Sequence, residues 1–307
     1  MRPGPLNALT IDVEDWFQVA AFFDRIERQT WHGLESRVER NTERLLGLLE
    51  PRGIKATFFV LGWVAERVPE LVRRIAAAGH EIACHGYSHE LVYRQTPAVF
   101  REETRRAKGL LEDILGSRVQ GYRASTYSVT RASLWALDII AEEGFGYDSS
   151  LFPVRHPQYG LPEAPRRPGW IQTPAGHSLL EFPLSTAPFG PLRVPVAGGG
   201  YFRLLPYGFT RMGLKRINRL DRAPFIFYLH PWEVDPGQPR VAGASLTSRL
   251  RHYTNLSRCE ARLVRLLGEF RFGTVQESLA EHGLSVDRPP ARGAPGLASF
   301  VVARGTT

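Results

Sequence analysis

The sequence predicts an α/β fold, a parallel sheet or barrel with helices on its outside. Two observations carry that prediction. In the first half of the chain, short apolar runs alternate with helical patterns in a βαβα order, the order that builds parallel sheets. In addition, Asp12, His85, Arg123, Asp148 and His230 each fall just after a strand-like run. Folds of this kind gather their chemistry there, at the carboxyl ends of strands.

The elements read in order as follows. Ala8 to Ile11 is a short buried strand that delivers the acids Asp12, Glu14 and Asp15 at its end. Asn41 caps a helix with apolar positions Leu45, Leu46, Leu48 and Leu49, stopped by Pro51 and Gly53. Lys55 to Leu61 is a strand around the run Thr57 to Val60, and Val64 to Ala78 is a helix ended by Gly79. Glu81 to Cys84 is the next strand. Thr96 followed by Pro97 opens a helix to about Leu115, because proline fits the first helical turn. Val119 to Tyr122 is a strand, and Ala132 to Glu143 a helix ended by Gly144. Residues 151–223 are rich in Pro and Gly, with strand signals near Ile171 and over Leu179 to Phe182, and read as an insertion of hairpins and loops within one domain spanning 1–284. Pro224 to Leu229 returns the chain to the core as a strand. A helix from about Leu246 to Phe270 follows, and Thr274 to Glu277 is a capping-box pattern for a last helix. The tail 285–307 reads as disordered.

Composition narrows the function classes. With 307 residues, 43% hydrophobic and 11% aromatic, the chain can bury a sizeable core. The formal net charge of +8 admits a polyanionic partner, but the excess lies in scattered arginines rather than in a basic block. A nucleic-acid partner is therefore not expected. Two cysteines, Cys84 and Cys259, exclude a disulfide framework and fit a reducing compartment. No signal peptide is seen, and no apolar run approaches the ~18 residues of a membrane span. The expectation is a cytoplasmic protein.

The chemistry-bearing residues admit a functional and a structural reading. His85 and His89, four apart with Gly86 between them, sit on a loop at a strand end and suit a metal pair; surface histidines at this spacing also arise by chance. Asp12 and Glu14 share a face if the strand continues through them, so that one acid could bind a metal while another takes a proton; the same cluster could be a solvated turn. His230 at a strand end could act as a general acid, or be a core histidine. Arg123 could orient a carboxylate, or form a surface ion pair. Asp148 could orient His230, or cap the turn at Ser149. Cys84 reads as a buried small residue more readily than as a soft ligand. Trp16, Tyr201 and Trp232 could stack on sugar rings, although core packing is the simpler reading.

Taken jointly, these segments resemble the polysaccharide deacetylases of carbohydrate esterase family 4, the NodB-homology fold. The family's five motifs are matched by Thr10 to Asp15, by His85-Gly86-Tyr87-Ser88-His89, by Arg123 to Tyr127, by Tyr147 to Ser150 and by Leu229-His230. Asp12 to Phe17 and Gly198 to Arg203 are similar to the exosortase-associated subgroup. The resemblance spans roughly residues 8–283. It implies a distorted (β/α)7 barrel and a metal-dependent hydrolase that removes N-acetyl groups from a polysaccharide or oligosaccharide, in exopolysaccharide modification. It further implies Asp12 as general base, His85 and His89 as ligands of a divalent metal (zinc by preference), and Glu14 or Asp15 as the third ligand. Arg123 would orient Asp12, and Asp148 would tune His230 as general acid. Ser125 stands where the family's third motif has proline, which touches the backbone N–H near Thr126 or Tyr127 that would face the oxyanion. An amidase acting on a small C–N substrate, a non-catalytic glycan-binding protein and a basic nucleic-acid or membrane-surface protein are the alternatives.

Overall fold

A computed structural model describes residues 4–290 and the backbone of Ala298 and Ser299. The first half runs β1 (Asn7–Val13), α1 (Val38–Leu49), β2 (Thr57–Val60), α2 (Gly62–Arg67), α3 (Pro69–Ala77), β3 (Glu81–Cys84), α4 (Pro97–Leu115), β4 (Gly121–Tyr122), α5 (Trp135–Glu142) and β5 (Tyr147–Asp148). The second half runs β6 (Gly169–Gln172), β7 (Ser178–Glu181), β8 (Thr186–Phe189), β9 (Leu192–Pro195), α6 (Gly199–Leu204), α7 (Tyr207–Arg216), β10 (Ile226–Leu229), α8 (Leu246–Tyr253), α9 (Leu256–Glu269), β11 (Phe272–Gly273), α10 (Val275–Glu281) and β12 (Ala298–Ser299).

Strands β10, β1, β2, β3, β4, β5 and β7 lie side by side in that order and are all parallel. This run is the parallel sheet predicted from the βαβα order, curled into a half-barrel and consistent with the distorted (β/α)7 barrel that the resemblance implies. Antiparallel β6 and then β12 extend the sheet beyond β7. The two-residue period of a strand sorts the side chains onto two faces. Leu9, Ile11, Val13, Phe58, Val60, Ile82, Cys84, Phe227 and Leu229 pack in the large core cluster beneath the helices. Ala8, Phe59, Ala83, Tyr147, Leu180, Ile226 and Tyr228 form a second cluster on the concave face. Cys84 is thus a buried core residue, and both thiols are free.

Four sequence expectations need correction. The helix expected over 64–78 is two helices, because Val68 precedes Pro69 and leaves helical geometry (φ −131°, ψ 58°). The helix expected over 246–270 breaks at Thr254 and Asn255, the latter in the left-handed region. The 151–223 segment is not only hairpins and loops, since it carries α6 and α7. Asn41 is not the cap of α1, which begins at Val38. The expected tail is described as irregular chain through Pro290, with Ala298 and Ser299 pairing with β6; 291–297 and 300–307 lie outside the described residues. Among the described residues, no helix is long and apolar enough to cross a membrane.

Candidate active site

The concave-face parity of three strands meets at one end of the sheet. In β1, Ala8, Thr10 and Asp12 alternate onto that face; Glu81, Ala83 and His85 do so through β3, and Ile226, Tyr228 and His230 through β10. At the end of β1 the Glu14 N–H folds back to the Asp12 carbonyl (3.0 Å), so the strand stops and the Glu14 side chain swings toward the β3 loop. Gly86 and His89 both lie at positive φ there, which lets the loop after β3 turn its second imidazole back beside the first.

Glu14, His85 and His89 converge, with one ligand atom from each lying within 4.8 Å of the others. All three are buried. His85 Nδ1 lies 2.8 Å from the Arg123 carbonyl, which can only accept. Nδ1 therefore carries the proton, and Nε2 is left as a lone-pair donor. This backbone contact is how a metal-binding histidine is usually oriented. Glu14 Oε1 accepts the Trp232 indole N–H at 3.1 Å. Glu14 Oε2 lies 2.5 Å from His89 Nε2, yet it and His89 Nδ1 are buried without hydrogen-bond geometry to any partner. A carboxylate oxygen left unbonded beside two imidazole nitrogens leaves a desolvation cost that a cation would remove. Two imidazoles and one carboxylate suit a divalent ion with an open coordination position. Burial raises the Glu14 carboxyl, but His89, His230 and His85 outweigh it and hold it well below the usual range. Burial pulls the His85 imidazole down to about 4 despite Asp12 and Glu14 nearby, so it is neutral and able to ligate at neutral pH.

Asp12 is buried beside this cluster. Its Oδ1 accepts Arg123 Nη1 at 2.5 Å and its Oδ2 accepts the Tyr127 hydroxyl at 3.2 Å. Arg123 is fully buried and also donates to Thr10 Oγ1 (2.8 Å) and Ser149 Oγ (3.0 Å), with its guanidinium 4.0 Å over the Phe59 ring. The carboxylate is thereby fixed in one rotamer. His230 Nε2 faces the same space, 3.9 Å from Asp12 Oδ2 and 3.7 Å from Glu14 Oε1. Burial lowers its imidazole pKa, but Glu14, Glu233 and Asp12 overcome this and push it up to about 9.

Two predicted site residues are not part of this cluster. Asp15 is not a ligand: its carboxylate accepts Trp16 N–H (2.9 Å), Ser36 Oγ (2.7 Å), Arg37 N–H (2.7 Å) and Val38 N–H (3.1 Å). It caps the orphan N–H groups of α1 from a distance in sequence, the function expected of Asn41. Asp148 does not orient His230. Tyr147 takes the concave face, so Asp148 takes the opposite one, where it holds Ser150 Oγ (2.6 Å) and lies in register with Glu181. Burial raises both carboxyls, most strongly Glu181, where the neighbouring Asp148 adds to the upward shift.

Three contributors were missed from the sequence: Tyr127 on Asp12, Trp232 on Glu14, and Glu233, whose Oε1 lies 2.7 Å from His230 Nδ1. Pro231 opens a helical turn in which Glu233 reaches back to the His230 backbone N–H, and that half of a capping-box pattern was available to find the third. Ser125 opens a tight turn over Ser125–Tyr127. Thr126 and Tyr127 both sit at φ near +55° and line a cavity of about 790 Å³ that opens from the cluster. Tyr159, Tyr201 and Arg251 line its wall. Of the three aromatic residues considered for stacking, Trp16 and Trp232 are 5% exposed and packed in a third core cluster. Tyr201 is half-buried, bonded to the Tyr159 hydroxyl at 2.9 Å, and reaches the cavity.

Two family models match most of the chain but begin at residue 18, after Asp12 and Glu14. Residues 18–140 match the family model described as polysaccharide deacetylase. Residues 149–280, which supply Arg203, His230 and Glu233, match one described as a domain of unknown function. A peptidoglycan deacetylase-like protein of Gibberella zeae is 34% identical over 110 residues, 35% of this chain and 32% of its own length. A peptidoglycan deacetylase of Helicobacter pylori is 32% identical over 108 residues, 35% of this chain and 36% of its own. The matched region is thus about a third of either relative's length. Among solved structures, one from Mycobacterium smegmatis assigned to the polysaccharide deacetylases is 25% identical, covers 96% of this chain and 95% of its own, and has a TM-score of 0.57. Residues 18–140 are thus similar to polysaccharide deacetylases, and nearly the whole chain shares the fold of one solved structure assigned to them.

Proposed function

We propose that the protein is a metal-dependent deacetylase that hydrolyses N-acetyl groups on a glycan. The observation that carries this is the convergence of Glu14, His85 and His89 beside a fixed Asp12 and an inward-facing His230. A divalent ion in that cradle, zinc being the best fit to two imidazoles and a carboxylate, supplies a Lewis acid for the acetyl carbonyl and lowers the pKa of water. Asp12, held in one orientation by Arg123 and Tyr127, accepts the proton of the attacking water. Thr126, at the cavity edge, would offer its backbone N–H to the developing oxyanion, whereas the Tyr127 N–H is taken by the Ala124 carbonyl at 3.1 Å. His230, held charged by its acidic neighbours, gives its Nε2 proton to the departing sugar nitrogen, and acetate leaves.

The cavity favours a glycan over a small C–N substrate, since about 790 Å³ extends well past the catalytic cluster. The Asp12-to-Phe17 and Gly198-to-Arg203 motifs favour the exosortase-associated subgroup and hence an exopolysaccharide. The test is acetate release from a panel of N-acetylated oligosaccharides by metal-stripped and metal-restored protein. Release that depends on the restored ion supports the reading. A protein that binds these glycans yet releases no acetate with any divalent ion is a glycan-binding protein instead.

A further inference from the structure

The side of His230 that faces away from the cavity is held by groups outside the family's acidic fourth motif. His230 ends β10 with extended backbone (φ −114°, ψ 151°) and is followed by a single helical turn, Pro231–Val234. Glu233 closes that turn. Its Oε1 accepts the His230 backbone N–H (3.1 Å) and lies 2.7 Å from the ring Nδ1. Its Oε2 accepts Arg203 Nε at 2.5 Å. Arg203 is itself immobile: Nη1 donates to the carbonyls of His252 (2.7 Å) and Thr254 (3.0 Å), and Nη2 to that of Arg251 (2.9 Å). Arg203 and Glu233 are 1% and 0% exposed, so this ion pair works at low effective dielectric.

The glycine run before Arg203 makes this reach possible. Gly198 and Gly199 lie at φ 128° and 52°, and a Cβ on Gly198 would sit 2.0 Å from the Tyr228 carbonyl oxygen. Side-chain-free backbone thus lets α6 press against β10 so that its Arg203 passes behind His230. Trp232, stacked on the His230 ring at 5.0 Å and 18°, closes the remaining side.

We infer that Glu233, locked by Arg203, is the positioning residue of the reaction, setting the His230 tautomer and aiming its Nε2 at the leaving nitrogen. A carboxylate can only accept, so the Nδ1–H must point to Glu233, and the second ring proton is delivered from Nε2 toward the cavity. Asp148, bonded to Ser150 and alongside Glu181, takes no part. This inference rests on the deacetylase reading of the site for its kinetic consequence, but not for the tautomer.

Two measurements test it separately. The first compares an N-acetylated oligosaccharide, whose amine must be protonated to leave, with an aryl acetate, whose phenolate leaves unaided. E233Q is expected to lower kcat on the amide by about 10²-fold and to change the aryl acetate rate by no more than about threefold. H230A should show the same split, and E233Q added to H230A should cost nothing further, since residues acting as one unit are non-additive. E233D, which keeps the charge but loses reach, should fall between wild type and E233Q. D148N should leave the amide-to-ester ratio unchanged. Equal losses on both substrates, or full additivity with H230A, overturns the inference.

The second measurement is the histidine 15N–1H spectrum of the metal-free protein. It should show a downfield Nδ1–H of His230 that is lost in E233Q and retained in D148N. Retention in folded E233Q overturns the inference. A wild type that shows this proton but releases no acetate refutes the deacetylase reading and leaves the positioning role standing.

Discussion

Replacing Asp12 with asparagine separates its chemical role from its structural one. The carboxylate is buried, with one oxygen on Arg123 at 2.5 Å and the other on Tyr127 at 3.2 Å. The amide keeps a carbonyl oxygen for Arg123 but cannot take up a proton. Loss of a general base typically costs ~10²–10⁴ in rate, or about 3–5.5 kcal/mol of barrier at ~1.4 kcal/mol per decade. The substitution also leaves the Arg123 guanidinium without its counter-charge, and breaking a buried pair costs about 3–5 kcal/mol. Here the cost should be at or below the lower end, because Arg123 retains Thr10 Oγ1, Ser149 Oγ and the Phe59 ring face. The assay is acetate release at saturating substrate, with bound metal and urea stability measured on the same preparation. D12N should hold a full complement of metal, lose about 3 kcal/mol or less of stability and lose at least ~10²-fold in kcat. Near-wild-type turnover in metal-loaded D12N would refute the general-base assignment.

Further predictions follow from other contacts. D15A should remove the remote cap of α1 and cost ~1–2 kcal/mol in chemical denaturation, while metal content stays at wild type; E14Q should do the reverse, and metal loss in D15A would restore Asp15 as the ligand. G198A, at φ 128° and facing the Tyr228 carbonyl, should lower stability by more than the ~1–3 kcal/mol of a strained backbone position. Wild-type stability in G198A would mean that α6 does not pack as closely on β10 as described. In the metal-free protein the imidazoles of His80 and His85, held down at about 4 chiefly by burial, are neutral when the unfolded chain's histidines protonate. Their contribution is full above pH 6.5 and is lost as pH falls toward 4. The drop in urea midpoint from pH 7 to pH 4.5 should therefore be smaller in H80Q; an unchanged or larger drop would contradict the assignment.

Much of the site was legible because it is local. Asp12, His85, Arg123 and His230 each sit at the end of an apolar run, and strand-end placement follows from the βαβα order alone. What failed depended on parity or on distant packing. Asp148 lies directly after Tyr147, and only the knowledge that Tyr147 faces inward turns the acid outward. Asp15 and Glu14 are adjacent acids, and the choice between them was made by a backbone reversal at Asp12 and by the N-terminus of α1, more than twenty residues on. The Glu233 contact was readable as a capping pattern after Pro231, but its use on an imidazole was not. Its partner Arg203 is thirty residues away behind a glycine run that reads as loop. The helices of the insertion were missed for the same reason. Their glycine-led start and the proline at 206 mark turns locally, while burial of Phe202 and Leu214 in the main core stabilises the helices.

One cation held between two strand ends is what the proposed chemistry needs, and anomalous diffraction above the absorption edge of a reconstituted divalent metal tests for it directly. A single peak about 2.0–2.2 Å from one oxygen of Glu14 and one nitrogen each of His85 and His89 is the predicted result. A map with no peak between those residues at full metal loading, or with the peak on Asp15, would contradict it.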